Sequence, residues 1–271
     1  MPNPRGPSPA RAALSGTASF SPAPSIHAND ETHPILHAGR VAVVTGAAAG
    51  IGAAAARAFA ELGMKVALAD VPAREPQLAA LGKELEGIAG EGNILVVPTD
   101  VTDLKQVQSF RDKVYETWHE VGVLLNNAGI GSFDARRGTS WENLDAWHGI
   151  LNVNLFGVIN VQQTFVPSML HQENPAMVIN TGSKQGITNP PGHAAYNASK
   201  AAVKSLTESL AHELRTNHPS VTAHLFVPGW THTGIGGAKP GQEKPAGAWT
   251  SEETVRPSLP PSFHHPSLPL T

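Results

Sequence analysis

Arg40-Val-Ala-Val-Val-Thr-Gly-Ala-Ala-Ala-Gly50-Ile-Gly52 is the stretch that decides the fold. Arg40 to Val44 is a short apolar, β-branched run, which reads as a buried strand. The residues from Ala53 to Leu62 are rich in alanine and read as a helix. Between them lies Thr45-Gly-x-x-x-Gly50-x-Gly52. Strand, glycine turn and helix in that order give a glycine motif a structural meaning, a dinucleotide site. Gly46 permits the tight turn, and Gly50 and Gly52 let the backbone and a pyrophosphate approach each other near the positive end of the helix dipole. The next strand-like run, Lys65 to Ala69, ends on Asp70. A carboxylate at that point suits the adenosine ribose hydroxyls and repels a 2′-phosphate, so NAD is expected over NADP. No Lys or Arg stands in the glycine loop to attract that phosphate.

Tyr196-Asn-Ala-Ser-Lys200 carries the second signal. On a helix, Tyr196 and Lys200 share one face, one turn apart. Ser183 follows the apolar run Ala176 to Thr181. A phenol, an ammonium and a hydroxyl together form a proton-transfer device. A cation within about 4–6 Å favours the phenolate and lowers a pKa that is otherwise about 10. That brings the phenol toward the range in which a general acid/base works best.

The rest of the middle of the chain alternates. Strands are expected near 40–45, 65–69, 93–98, 121–125, 176–181 and 220–227, with helices between them such as Asp103 to Glu120 and Ala194 to Arg215. Alternation of this kind predicts an α/β fold, a single doubly wound Rossmann domain on a parallel sheet of six strands. Right-handed crossovers then put every strand C-terminus on one edge. Gly46, Asp70, Asp100, Asn126, Ser183 and Gly229 all fall at or just past such ends, where ligands bind in these folds. The long segment from Trp141 to Gln172 is expected to break before Pro167 or to kink there.

Taken together, these motifs resemble the short-chain dehydrogenase/reductase family over about residues 35 to 255. The resemblance implies further roles. Gly46, Gly50, Ile51 and Gly52 would cradle the cofactor, and Asp100-Val101 would meet the adenine. Asn127, Ala128 and Gly129, in Asn126-Asn-Ala-Gly129, would form a second cofactor turn, and Pro228, Gly229 and Thr233 would contact the nicotinamide amide. Ser183, Tyr196, Lys200 and Asn154 correspond to the family's catalytic set, with Lys200 also on the cofactor ribose and Asn154 supporting a relay water. The implied activity is NAD-dependent hydride transfer between nicotinamide and a secondary alcohol or ketone, small or medium-sized and apolar, with Tyr196 as general acid/base. No metal is required by that chemistry. Homodimers or homotetramers are the assemblies the family implies.

Composition narrows the alternatives. The chain has 271 residues, 41% of them hydrophobic, enough for a sizeable core. A formal net charge of −3 points to neither nucleic acid nor a membrane surface as partner. The absence of cysteine removes disulfides and thiolate chemistry and fits a reducing, cytoplasmic setting. No apolar run is long enough for a transmembrane helix. Residues 1–35 are rich in Pro, Ser and Ala and read as a disordered extension. Its arginines make mitochondrial targeting a minor alternative, and its prolines oppose the amphipathic helix that targeting needs. The catalytic domain is expected over 36–255. Thr250-Ser-Glu-Glu-Thr-Val255 begins like a helix, and the Pro-rich tail at 256–271 cannot continue it or add a central strand. The usual seventh strand is therefore expected to be missing. The alternative functional reading is an impaired, truncated nucleotide-binding variant. Lys184, His193 and Trp230 are further candidates for the substrate pocket.

Overall fold

A computed structural model describes residues 33–132, 141, 143–236 and 242–256. The extension expected at 1–35 and the tail expected at 256–271 lie outside these, except for residues 33–35 and 256.

Six strands form one parallel sheet: β1 (Val41–Thr45), β2 (Lys65–Ala69), β3 (Ile94–Val96), β4 (Val123–Asn126), β5 (Ala176–Thr181) and β6 (Val221–Phe226), in the order β3-β2-β1-β4-β5-β6. Among the described residues no strand follows β6. The sequence reverses its direction of travel across the sheet between β1 and β4, which is where such folds open a crevice. Helices α1 (Gly50–Glu61), α2 (Glu75–Ala89), α3 (Leu104–Trp118), α4 (Leu144–Leu151) and α5 (Gly157–Leu170) connect the first five strands. A short α6 (Gln185–Thr188) and a long α7 (Ala194–Asn217) lie between β5 and β6, and α8 (Ser251–Val255) comes last.

The central strands are apolar on both faces because both faces are covered. Ala42, Val44, Val66, Leu68, Val123 and Leu125 pack with Phe59, Leu78 and Leu85 on one side. Val41, Val43, Ala67, Leu124 and Val178 pack with Phe110, Phe165 and Met169 on the other. The alanines of α1 allow close approach to the sheet: Ala53 through Ala56, Ala58 and Ala60 are all buried.

Side-chain caps open α3 and α8. The Asp103 side chain caps α3, accepting from the backbone N–H groups of Lys105 and Gln106. Thr250 and Glu253 close a reciprocal capping box on α8. Ile35 and Leu36, at the junction expected between extension and domain, are buried in the core. The His33 ring aids that entry, its Nδ1 accepting from the Leu36 N–H at 2.9 Å. Of the two outcomes expected at Pro167, the helix does not end before the proline but carries it inside α5. The irregularity lies earlier, in a π-helical turn over Asn152–Phe156, where the N–H of Gly157 reaches back to the carbonyl of Asn152. Such wide turns favour functional positions, and this one turns Asn154 fully inward.

At the opposite edge from the strand C-termini, Arg40 joins three parts of the chain. Its guanidinium donates to Glu120 Oε1 at 2.8 Å, to the Pro34 carbonyl at 2.8 Å and to the Pro175 carbonyl at 2.7 Å. The Arg40 side chain is only 7% exposed and its Glu120 partner 16%. Removing one member of a buried pair leaves the other charge uncompensated. Arg40→Ala is therefore expected to lower stability by about 3–5 kcal/mol, measured by denaturant unfolding, and to leave nucleotide binding by the folded fraction unchanged.

Candidate active site

The strand C-termini frame a cleft of about 790 Å³. Its floor is built by two loops pressed together. Gly46, after β1, has φ +66°, and a Cβ there would lie 2.7 Å from the Ala128 Cα. The Thr45 hydroxyl accepts from the N–H groups of Asn127 and Ala128 at 3.0 and 3.1 Å. The Asn127 amide donates to the Thr45 and Gly46 carbonyls at 3.2 and 3.3 Å, and the Thr181 hydroxyl donates to Asn127 Oδ1 at 3.3 Å. Three strand ends are thereby tied into one surface. Gly50, with φ +58°, lies under Thr233, whose Cγ2 would be 3.3 Å from an added Cβ.

Nearly every expected cofactor residue lines this cleft: Gly46, Gly50, Ile51, Asp70, Asp100, Val101, Asn127, Ala128, Gly129, Tyr196, Lys200, Pro228, Gly229 and Thr233. Gly52 is the exception. It is buried away from the cleft, and a Cβ there would overlap the Gly46 carbonyl oxygen and lie 2.7 Å from Asn127 Nδ2. Its small size serves loop packing rather than direct approach of a ligand. Asp70 is held rigidly, accepting from the Ala48 N–H at 2.9 Å and the Val71 N–H at 2.8 Å. The sequence reading missed Arg74, which lines the same end of the cleft as Asp70. Its spacing from Asp70 was the available signal. The bare glycine turn, the fixed carboxylate and the open N-terminus of α1 are the features a dinucleotide requires, so the residues present fit that cofactor.

At the other end, Ser183, Tyr196 and Lys200 converge. The Ser183 Oγ accepts from the Gln185 N–H at 3.2 Å. Tyr196 lies above the ordinary phenol pKa because burial disfavours its anion, and a hydrogen bond with Ser183 pulls it partly back. Lys200 donates to the Thr181 carbonyl at 2.8 Å, and its Nζ is 5.9 Å from the centre of the Tyr196 ring. Burial brings its pKa down to about 8. The expectation that Lys200 depresses Tyr196 is thus not met in this structure. The ammonium spends its hydrogen bond on a backbone carbonyl, and desolvation dominates the phenol.

Asn154 stands behind the cleft, not in its lining. Its Oδ1 accepts from the Ile130 N–H at 2.8 Å, and its Nδ2 donates to the Ile130 carbonyl at 2.9 Å and to Ser199 Oγ at 3.2 Å. It fixes the backbone just beyond Gly129 to the catalytic helix α7. Of the other candidates, Lys184 and Trp230 line the cleft and His193 does not. Thr231, next to Trp230, is tied to α8 through a 2.9 Å hydroxyl pair with Thr254. No helix among the described residues is long and apolar enough to cross a membrane.

Known proteins are similar to this chain in sequence and fold. Residues 40–244 match the family described as short chain dehydrogenase. A 3-oxoacyl-[acyl-carrier-protein] reductase of Thermotoga maritima is 38% identical over 195 residues, 72% of this chain and 75% of that protein. A short chain dehydrogenase/reductase from Burkholderia phymatum, solved in complex with NAD, superposes with a TM-score of 0.69 at 37% identity, covering 82% of this chain and 77% of the other. An alcohol dehydrogenase from Thermococcus sibiricus, complexed with 5-hydroxy-NADP, gives a TM-score of 0.70 at 30% identity, covering 82% and 91%. With the glycine turn, the paired loops and the Ser-Tyr-Lys cluster in one cleft, and with a match that takes in most of the chain, the protein belongs to the short-chain dehydrogenase/reductase family.

Proposed function

We propose that this chain is an NAD-dependent oxidoreductase acting on a secondary alcohol or ketone, with Tyr196 as general acid/base. The observation that carries the reading is the convergence of Ser183, Tyr196 and buried Lys200 in the same cleft as the glycine turn and Asp70. When bound, the nicotinamide nucleotide supplies or accepts the hydride. Gly46, Gly50, Ile51, Asp70, Asp100, Val101 and the Asn127–Gly129 turn would hold its adenosine and pyrophosphate, and Pro228, Gly229 and Thr233 its amide.

The proton is the protein's task. A buried phenol with a raised pKa is protonated at neutral pH, the form that donates to a carbonyl oxygen during reduction. In oxidation the same oxygen takes the alcohol proton. Ser183, held by the Gln185 N–H and bonded to Tyr196, would turn its hydroxyl to the substrate oxygen and stabilise the charge that develops there. Buried Lys200, whose Nζ is 5.9 Å from the centre of the Tyr196 ring, would hold the cofactor ribose beside the phenol. Asn154 keeps the Ile130 backbone registered against α7, and with it the floor beside Lys200.

Replacing the acid is the direct test. Tyr196→Phe is expected to cut turnover by about 10²–10⁴-fold while NADH still binds. Undiminished turnover would remove Tyr196 from its role.

Cofactor choice follows from Asp70. Binding titrations are expected to favour NADH over NADPH by about tenfold or more, the effect of a fixed carboxylate facing a 2′-phosphate. Asp70→Ala should narrow that ratio at least several-fold, because Arg74 remains on the same rim. An unchanged ratio would assign selectivity to another residue.

The buried lysine is a price the fold bears for chemistry. Its folded pKa near 8 lies below the unfolded 10.5, so between those values the unfolded chain binds more protons and stability rises with pH. Below pH 8 the penalty is complete. Lys200→Met is accordingly expected to abolish turnover yet raise stability at pH 7 by about 1–4 kcal/mol, an advantage that shrinks as pH climbs from 8 toward 10.5 in thermal melts. A destabilised variant at pH 7 would contradict this.

A further inference from the structure

The segment after β6 runs along the cleft and touches down on two of the loops that build it. Its root is held: the Trp249 N–H donates to the Trp230 carbonyl at 2.8 Å, the His232 N–H donates to the Trp249 carbonyl at 2.8 Å, and Thr231 pairs with Thr254 of α8. Thr233 then packs on Gly50 of the glycine turn, its Cγ2 3.3 Å from where a Cβ there would be. Two residues on, in the short helical turn Gly234–Gly236, Ile235 rests on Gly131, just past the Asn127–Gly129 turn. A Cβ on Gly131 would lie 2.8 Å from the Ile235 carbonyl oxygen and 3.1 Å from its Cγ2. The first of these is closer than a carbon and an oxygen pack. Backbone meets backbone at this point only because Gly131 has no side chain.

The floor under that contact is fixed. Asn154 bonds both backbone groups of Ile130, accepting from its N–H at 2.8 Å and donating to its carbonyl at 2.9 Å. Asn154 is itself wholly buried and tied to Ser199 of α7. Gly131 therefore follows a clamped residue, and any added bulk there displaces Ile235 rather than the floor. Nor does its conformation call for glycine: unlike Gly46 and Gly50, Gly131 does not have a positive φ. What it supplies is space, and the segment that carries Thr233 fills that space. Thr233, Gly234 and Ile235 line the cleft and Gly131 does not.

We propose that Gly131 is a positioning residue for the nicotinamide: it is the seat that sets the height of the segment over the cleft and so brings Thr233 within reach of the nicotinamide amide. This rests on the oxidoreductase reading above, in which Thr233 holds that amide. A side chain at position 131 lifts Ile235 and, two residues away, Thr233. The adenosine half of the cofactor is held by Asp70, Asp100 and Val101, on the loops after β2 and β3, and keeps its contacts.

The test titrates NADH, and ADP-ribose, which lacks the nicotinamide, against the parent protein and Gly131→Ala. The expected result is NADH binding weakened by about three- to tenfold, the worth of one lost hydrogen bond, with ADP-ribose affinity held within about twofold. The same pair of titrations in a Thr233→Ala background checks the route: Gly131→Ala should add no further loss there, since two changes that act through one contact are not additive. A merely structural role would weaken both ligands together and would add its full effect in the Thr233→Ala background. Either of those results, or an unchanged ratio of NADH to ADP-ribose affinity, would overturn the assignment of Gly131 and leave the oxidoreductase reading standing. Failure of the parent protein to bind either ligand would overturn both.

Discussion

The cleft exists because the turn after β1 and the turn after β4 touch with no side chain between them. Gly46 meets Ala128 so closely that a single methyl carbon would collide with backbone, and Gly52 closes on the Gly46 carbonyl from behind. Thr45 and Asn127 bond across that contact and Thr181 adds the end of β5. Register in the parallel sheet makes the contact possible, since Val44 pairs with Leu125 and Leu125 with Ile179, which brings the three strand ends level. A ligand cradle of bare backbone follows from packing at two glycines and one alanine.

Electrostatics in the catalytic end run against stability. Lys200 is fully desolvated and spends its one hydrogen bond on the Thr181 carbonyl. Tyr196 is kept neutral by burial. Neither arrangement would be chosen for a core, and the surrounding apolar layers on both sheet faces hold them in place. Function and fold meet at α7, which carries Tyr196, Ser199 and Lys200 and, further along the same face, buries Val203 and Leu214. Asn154 then ties that helix to the loop after β4 through Ser199 and Ile130.

Much of this was legible in the sequence. The strands came through because parallel-sheet strands buried on both faces are continuous apolar runs, and β2 and β5 begin and end where their residues predict. The glycine turn, Asp70 and the Tyr196/Lys200 pair are local spacings, which sequence displays directly. What it hid were matters of three dimensions. The role of Gly52 depends on the loop it packs against. The π-helical turn at Asn152–Phe156 has no local signature, whereas Pro167, which does, is accommodated inside α5. The pKa of Tyr196 turns on burial against a hydrogen bond with Ser183, and a motif cannot weigh those two. Arg74 was passed over because it acquires meaning only from the cleft around it.

Amide hydrogen exchange with and without NADH tests most directly whether the strand ends form one nucleotide cleft. The account predicts slowed exchange at the loops after β1, β2, β3, β4, β5 and β6, around Gly46, Asp70, Asp100, Ala128, Ser183 and Gly229, with little change at the Arg40 edge. Exchange that NADH leaves unchanged in the folded chain, or protection gathered away from those loops, would contradict it.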